Sequence, residues 1–342
     1  MKDDVFYGDC GAHLTWQFDP NTEVLKIFGY GEMDDYDGCD TPWGDFEYKI
    51  KRVIFPNGLT RIGNCAFYGV DGEGLKLEHI ILPGGLTSIG RYAFLSCDWL
   101  TSFSIAPSNP NFSIKDGVLF NKEGTELVLY PSGRDGAYTV PAGVTSIGDY
   151  AFVRCEELTS VSFPDSVTSI GDYAFEGCSE LTSIILPAGI TRIGKHAFDY
   201  CTGLEKITLP EGLTEIGEGA FYYCDSLSSI TLPAGITKIS EGAFDLSGLE
   251  EITFPEGLKE IGDGAFVWCT CLEKITLPEG LKEIGNAAFK NCKRLKSVTL
   301  PNGLISIGEC AFWGCKGLSN ITIPASVTEI GKAALDFEGH DL

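Results

Sequence analysis

The segment from Leu158 to Glu180, LTSVSFPDSVTSIGDYAFEGCSE, returns after 23 residues as LTSIILPAGITRIGKHAFDYCTG and again as LEKITLPEGLTEIGEGAFYYCDS. A fixed period in this range leaves a chain little choice of architecture. Each repeat is one supersecondary unit that cannot bury its own apolar side chains, so successive units must stack. Further units begin at Ile50, Leu77, Leu100 and Asp135 on one side and at Leu227, Leu249, Leu272, Leu295 and Leu318 on the other, which makes twelve coils.

With the leading residue as position 1, apolar residues fall at positions 1, 4, 6, 10, 13, 17, 18 and 21, as in Leu204, Ile207, Leu209, Leu213, Ile216, Ala220, Phe221 and Cys224. The alternation from 4 to 6 is that of a half-buried strand. Proline at position 7, as at Pro210 and Pro233, cannot donate to a ladder and ends it, and the glycine two residues later lets the chain turn. A second short extended stretch holds position 13. The glycine at 14 breaks it, and the tight GxxAF segment that follows is expected to form a 3₁₀ or single helical turn that drives its Phe inward. The prediction is a repeat solenoid, mostly β with short 3₁₀ or helical turns. At a strand spacing of about 4.8 Å, twelve coils would extend on the order of 50 to 60 Å. The 42 glycines and two methionines agree with many turns and few long helices.

Thirteen cysteines would suit a disulfide scaffold in a short secreted chain. Their spacing argues otherwise. Cys97, Cys155, Cys178, Cys201, Cys224, Cys269, Cys292 and Cys315 all occupy position 21, where they should stack as an inward column of small apolar thiols. Ser247 interrupts the column in a unit one residue short, so a local irregularity is expected there.

The combination LxxITLPxGLTxIGxxAFxxC, running over nearly the whole chain from residue 50, closely resembles the BspA-type leucine-rich repeats of bacterial surface proteins. Departures from its I-G-x-x-A-F core fall at Ser240 and Leu335. The stretch CGAHLTWQFDPNTEVLKIFGYGEM followed by TPW is similar to the segment that caps such arrays. The resemblance implies an extracellular or cell-surface protein used in adhesion or recognition, and it brings no catalytic residues with it. Physically, residues 1–49 read as a β-hairpin cap, with LTWQF and VLKIF on either side of a DPNT turn, covering the apolar end of a solenoid at 50–342. The C-terminal end lacks an equivalent, since the last unit decays into KAALDFEGHDL. Either the natural protein continues or the short tail folds over the last coil. The interval from Leu100 to Asp135 is 35 residues, twelve beyond the period. Its apolar stretches around Asn121 to Thr125 predict a hairpin insertion near 107–134, expected to brace the array, with a binding role as the alternative.

Little here promises chemistry. Asp and Glu outnumber Lys and Arg by 48 to 25, and a net charge of -23 would repel phosphate backbones and anionic headgroups. Nucleic acid and membrane insertion are therefore not expected, and no secretory signal is present in this chain. His13, His79, His196 and His340 are scattered, and no GxSxG, HExxH, P-loop or GxGxxG motif occurs. Cys269 and Cys271 form a lone C-x-C without a second ligand pair. Asp34, Asp35, Asp37 and Asp40 form an acidic loop that fails the EF-hand register, because Met33 would stand first. The expectation is a protein without catalytic residues, metal or cofactor.

Recognition surfaces are the remaining candidates. Thr139, Thr208, Thr231, Thr253, Thr276, Thr299 and Thr322 form a position-5 ladder that suits strand propensity and solubility. Position 20 is more informative, since consecutive coils carry Tyr200, Tyr223, Leu246 and Trp268, with Tyr222 and Trp313 one position earlier in theirs. If position 20 faces outward, these residues form an aromatic stripe of the kind enriched at protein interfaces and sugar platforms. If it faces inward, they are packing. The expected function is recognition or adhesion through a protein partner, with a structural spacer or glycan binding on the aromatic flank as alternatives.

Overall fold

The computed structural model describes residues 5–38, 40–69 and 74–339. Two compact units divide the chain: Met1–Gly136 with Tyr150–Glu157, and Ala137–Asp149 with Leu158–Leu342. About twelve coils of the 23-residue period are shared between them, with almost no helix.

In the first unit the cap is a three-stranded meander, β1 (Phe6–Gly11), β2 (Leu14–Asp19) and β3 (Val24–Glu32), one strand more than a hairpin. Alternation sends Leu14, Trp16, Phe18, Leu25 and Ile27 inward. β3 then serves as template for both ladders of the array. Its first half pairs in parallel with β4 (Arg52–Ile54), and its second half with Gly58–Ile62. Between β3 and β4 the chain forms the 3₁₀ helix Gly44–Lys49. Trp43, just before it, lies buried and stacks on Phe67 at 5.4 Å between ring centroids, while its indole N–H donates to the Ala66 carbonyl at 3.2 Å. The Phe column of the coils thus begins on a tryptophan.

The acidic loop after β3 has a structural use. Asp35 accepts the Asn64 backbone N–H at 2.8 Å and pairs with Arg61 at 2.6 Å. Asn64 in turn accepts the Arg91 N–H at 2.8 Å, so the loop supplies the first rung of a side-chain ladder. The insertion forms three antiparallel strands, Phe112–Lys115, Val118–Asn121 and Glu126–Leu129, where a two-stranded hairpin was expected. Asn121 fastens its second turn by accepting the N–H groups of Thr125 and Glu126.

In the second unit every coil but the last gives a strand at positions 3 to 5, as where Ser183–Ile185 pairs in register with Lys206–Thr208, and the coil from Leu318 keeps only the second strand, Glu329–Ile330. A two-residue strand follows at positions 12 and 13, as where Arg192–Ile193 pairs with Glu215–Ile216. Phe175, Phe198, Phe221, Phe244, Phe266, Phe289 and Phe312 are wholly buried. Their rings stack nearly parallel at 5.2 to 5.5 Å, one per coil. The short coil at Ser247 leaves the column intact, with Phe244 and Phe266 at 5.3 Å. The described cysteines are free, and every one at position 21 is buried. The Asp or Asn ladder of position 15 recurs here: Asp149 accepts the Asp172 N–H, Asp172 that of Lys195, Asp263 that of Asn286 and Asn286 that of Glu309.

The GxxAF segment is not a 3₁₀ or helical turn. It closes as successive β-turns, and the physical reason is a left-handed residue at position 16 of the coils, such as Tyr173 (φ 57), His196 (φ 49) and Gly219 (φ 58). Positive φ ends any right-handed helical run. Facing carbonyls of the next coil take up the N–H groups: Tyr173 donates to Lys195, Phe175 to Ala197 and Gly177 to Asp199, each at 2.7 to 2.8 Å. The turns therefore stack through backbone hydrogen bonds as the strands do.

Candidate functional site

Position 20 lies in the last of these turns and is also left-handed. In the turn from Phe198 to Cys201, the Cys201 N–H returns to the Phe198 carbonyl at 3.3 Å and Tyr200 sits at φ 54. Tyr223 (φ 53), Leu246 (φ 56) and Trp268 (φ 57) repeat the geometry. A turn with positive φ at its third residue favours glycine or asparagine. Equivalent coils of the same unit use them, with Gly177 (φ 72), Asn291 (φ 61) and Gly314 (φ 70).

Backbone bonds hold the row in place. The N–H of Tyr200 donates to the Tyr222 carbonyl, Tyr223 to Asp245, Leu246 to Val267, Trp268 to Lys290 and Asn291 to Trp313, all at 2.8 to 2.9 Å. The side chains point away from the Phe column. Tyr200 is 47% and Trp268 40% exposed, and Tyr222, Tyr223, Leu246 and Trp313 are partly so. Tyr200 and Tyr223 stack at 4.9 Å, and Tyr222 leans on both at 5.6 and 6.3 Å. Leu246 and Trp268 continue the row. Lys293 lies over Trp268, its Nζ 4.4 Å from the ring, and Lys290 over Trp313 at 5.0 Å. The structure thus brings the three tyrosines into one cluster and places the two tryptophans further along, each under a lysine.

Two carboxylates at position 19 enter the ridge, and neither stood out in the sequence. Asp199 is buried and pairs with His196, whose Nδ1 lies 2.9 Å from its Oδ2. The His196 ring also stacks on Tyr173 at 4.9 Å. Asp245 is half-buried, and its Oδ1 has no hydrogen-bond partner among the described residues. Burial pushes its carboxyl up to about 6, against a backbone hydrogen bond that acts in the other direction. Burial, together with Tyr200, Asp245 and Asp199 nearby, raises the Tyr222 phenol. The signal for these groups was their position beside the left-handed residue, which no single-residue preference reveals.

Among the described residues no group of three or more His, Cys, Asp or Glu side chains is placed to hold a metal ion. No helix among them is long and apolar enough to cross a membrane.

Short parallel strands, stacked turns and a ring column, repeated at 23 residues, define a leucine-rich-repeat β-solenoid. More narrowly, the chain belongs to the BspA-type leucine-rich-repeat family, which matches residues 46–132, 137–248 and 237–339 in six copies. No curated protein matches the sequence significantly. Among solved structures, the pneumococcal vaccine antigen PcpA is 23% identical, with 88% of this chain and 67% of that chain covered, at a TM-score of 0.53. A leucine-rich cell surface protein of Faecalibacterium prausnitzii A2-165 is 24% identical over 94% of this chain and 95% of that one, at a TM-score of 0.50. Both are likenesses of fold.

Proposed function

We propose that this chain is a non-catalytic recognition module of a bacterial cell surface, and that its second unit engages a protein partner through the ridge of Tyr200, Tyr222, Tyr223, Leu246 and Trp268. One observation carries the reading. Bulky side chains occupy left-handed turn positions at which glycine and asparagine serve in neighbouring coils, at a backbone cost of about 1 to 2 kcal/mol each. Stability alone does not favour them there, and strain of this kind collects where a surface is used. Exposed Tyr and Trp are also the side chains that most often anchor interfaces. The surface location follows the family and the description of the F. prausnitzii protein as a cell surface protein.

The test replaces Tyr200, Tyr223 and Trp268 together with Asn, which the same turn accepts at Asn291. Wild type and variant are screened against a panel of bacterial and host surface proteins and a glycan array, with thermal melts alongside. Loss of a protein ligand at an unchanged or raised melting temperature supports the reading. Equal binding by both chains places the site elsewhere, and a ligand found only on the glycan array replaces the protein partner with a sugar.

A further inference from the structure

The first unit carries a surface of different chemistry. On the sheet face of its opening coils lies an open groove of about 660 Å³, lined by Lys51, Arg52, Ile54, Lys76, His79 and Ile81. Two features set it apart from the rest of the array. Position 5 is Ser or Thr in most coils and a single isoleucine, Ile185, in the second unit, yet here adjacent strands present two, Ile54 and Ile81, 44% and 63% exposed. Exposed isoleucines side by side do nothing for the core, and contiguous apolar surface marks contact sites. The second feature is charge. In a chain of net charge -23, Lys51, Arg52 and Lys76 crowd this groove, and Lys26 joins them from β3, directly opposite Ile54 in the parallel pair. Only Lys51 has an acidic partner among the described residues, Glu23 at 2.7 Å. Glu78 is the one acid in the lining. The His79 ring is held flat across the neighbouring strand, with its two nitrogens 2.7 and 2.9 Å from the hydroxyls of Ser102 and Ser104.

We propose that this groove is a second binding site, taking an acidic protein segment that lays apolar side chains over Ile54 and Ile81 while its carboxylates meet Lys26, Arg52 and Lys76. Charge complementarity selects the occupant. The chain's overall negative charge slows an acidic partner at long range, but at contact distance the carboxylates meet a local cluster of Lys26, Arg52 and Lys76 against the single acid Glu78, and this cluster favours an anionic occupant. The isoleucines narrow the choice further. A sulfated polysaccharide would use the cations but gain nothing from two exposed aliphatic side chains, whereas an acidic peptide with alternating Leu or Ile would use both.

The experiment measures fluorescence anisotropy of a labelled acidic peptide of alternating Glu or Asp with Leu or Ile, titrated with the full chain. A version with Ser at every apolar position and unlabelled dextran sulfate as competitor complete the set. The acidic-apolar peptide should bind about 10-fold more tightly than the Ser version, and about 10-fold more tightly at 20 mM than at 300 mM salt. Arg52→Glu with Lys76→Glu should abolish binding. So should Ile54→Thr with Ile81→Thr, a change that installs the residue common at this position and leaves the melting temperature unaltered. Absence of binding, unchanged binding by either double variant, or a Ser version equal to the parent would each overturn the proposal. Full displacement by dextran sulfate with no apolar preference would make the groove a polyanion site and overturn it too.

Discussion

The thiol of Cys201 donates to the carbonyl of Phe175 across 3.1 Å, tying position 21 of one coil to position 18 of the coil before it. Cys224 to Phe198, Cys292 to Phe266 and Cys315 to Phe289 repeat the contact at 3.0 to 3.1 Å. The column is therefore more than small apolar filling, because each thiol adds an inter-coil hydrogen bond inside the core. Cys201→Ala removes that bond and little volume, with an expected loss of about 1 to 2 kcal/mol in urea unfolding. Phe198→Ala empties one place in the ring stack and should cost about 3 to 5 kcal/mol. If the two losses came out equal, the ring column would not be the principal support.

The same burial sets thiol reactivity. Burial raises the Cys201 and Cys224 thiols well above their ordinary range and pushes Cys269 up to about 12. Thiolate is the reactive form, so these groups should resist alkylation in the native state. Among the described cysteines, maleimide at pH 8 should label the partly exposed Cys65 and Cys271 first. Mass spectrometry of native and unfolded protein reads this out, and rapid native labelling of Cys201 or Cys224 would contradict the packing.

Asp245 and Asp35 should respond to pH in opposite directions. Asp245 titrates near 6 when folded against 3.8 as its ordinary value, so the folded chain holds this proton more tightly than the unfolded one. Its ionisation therefore opposes folding, and its contribution falls as pH rises from about 4 through 6. The Asn64 N–H holds Asp35 below its ordinary value, helped by Arg61. Its stabilisation is present above that ordinary value and is lost as pH falls through the depressed one. Asp245→Asn should then raise the melting temperature at pH 7.5 and change it much less at pH 5. A difference that stays the same at both pH values would mean that the carboxylate is not desolvated.

The period, the strand positions and the inward Phe were legible because burial imposes a pattern of residue types. Leu204, Ile207, Leu209 and Phe221 announce their positions by being apolar. The left-handed turns were not legible as a rule, since Tyr173, His196, Gly219 and Ala287 share position 16 and no common side chain. Gly219, Gly242 and Gly264 in three successive coils were the available sign. Asn64, Asp149, Asp172, Asp263 and Asn286 recur at position 15, but as polar residues outside the core they read as surface until the hydrogen bonds of the next coil are seen. The direction of position 20 stayed open for a related reason. Tyr200 beside an inward Phe198 fits either packing or display, and only the turn geometry separates the two.

The backbone at position 20 allows a reciprocal test of whether the ridge costs stability. Trp268 and Asn291 occupy the same place in consecutive coils at φ 57 and φ 61, but Asn291 is buried where Trp268 is 40% exposed, so Trp268→Asn isolates the backbone effect and the reverse exchange adds a packing cost. Asparagine tolerates the left-handed region and tryptophan does so poorly. Trp268→Asn should therefore leave urea stability unchanged or raise it by up to about 1 kcal/mol, because relief of strain is offset by loss of the Lys293 contact over the ring. Asn291→Trp should lower stability by at least about 1 kcal/mol, since it imposes the same strain on a turn that now avoids it and brings a large ring to a buried position. A marked loss in Trp268→Asn, comparable to that of Phe198→Ala, would show the tryptophan to be part of the core. That result would remove the reason for reading the ridge as a recognition surface.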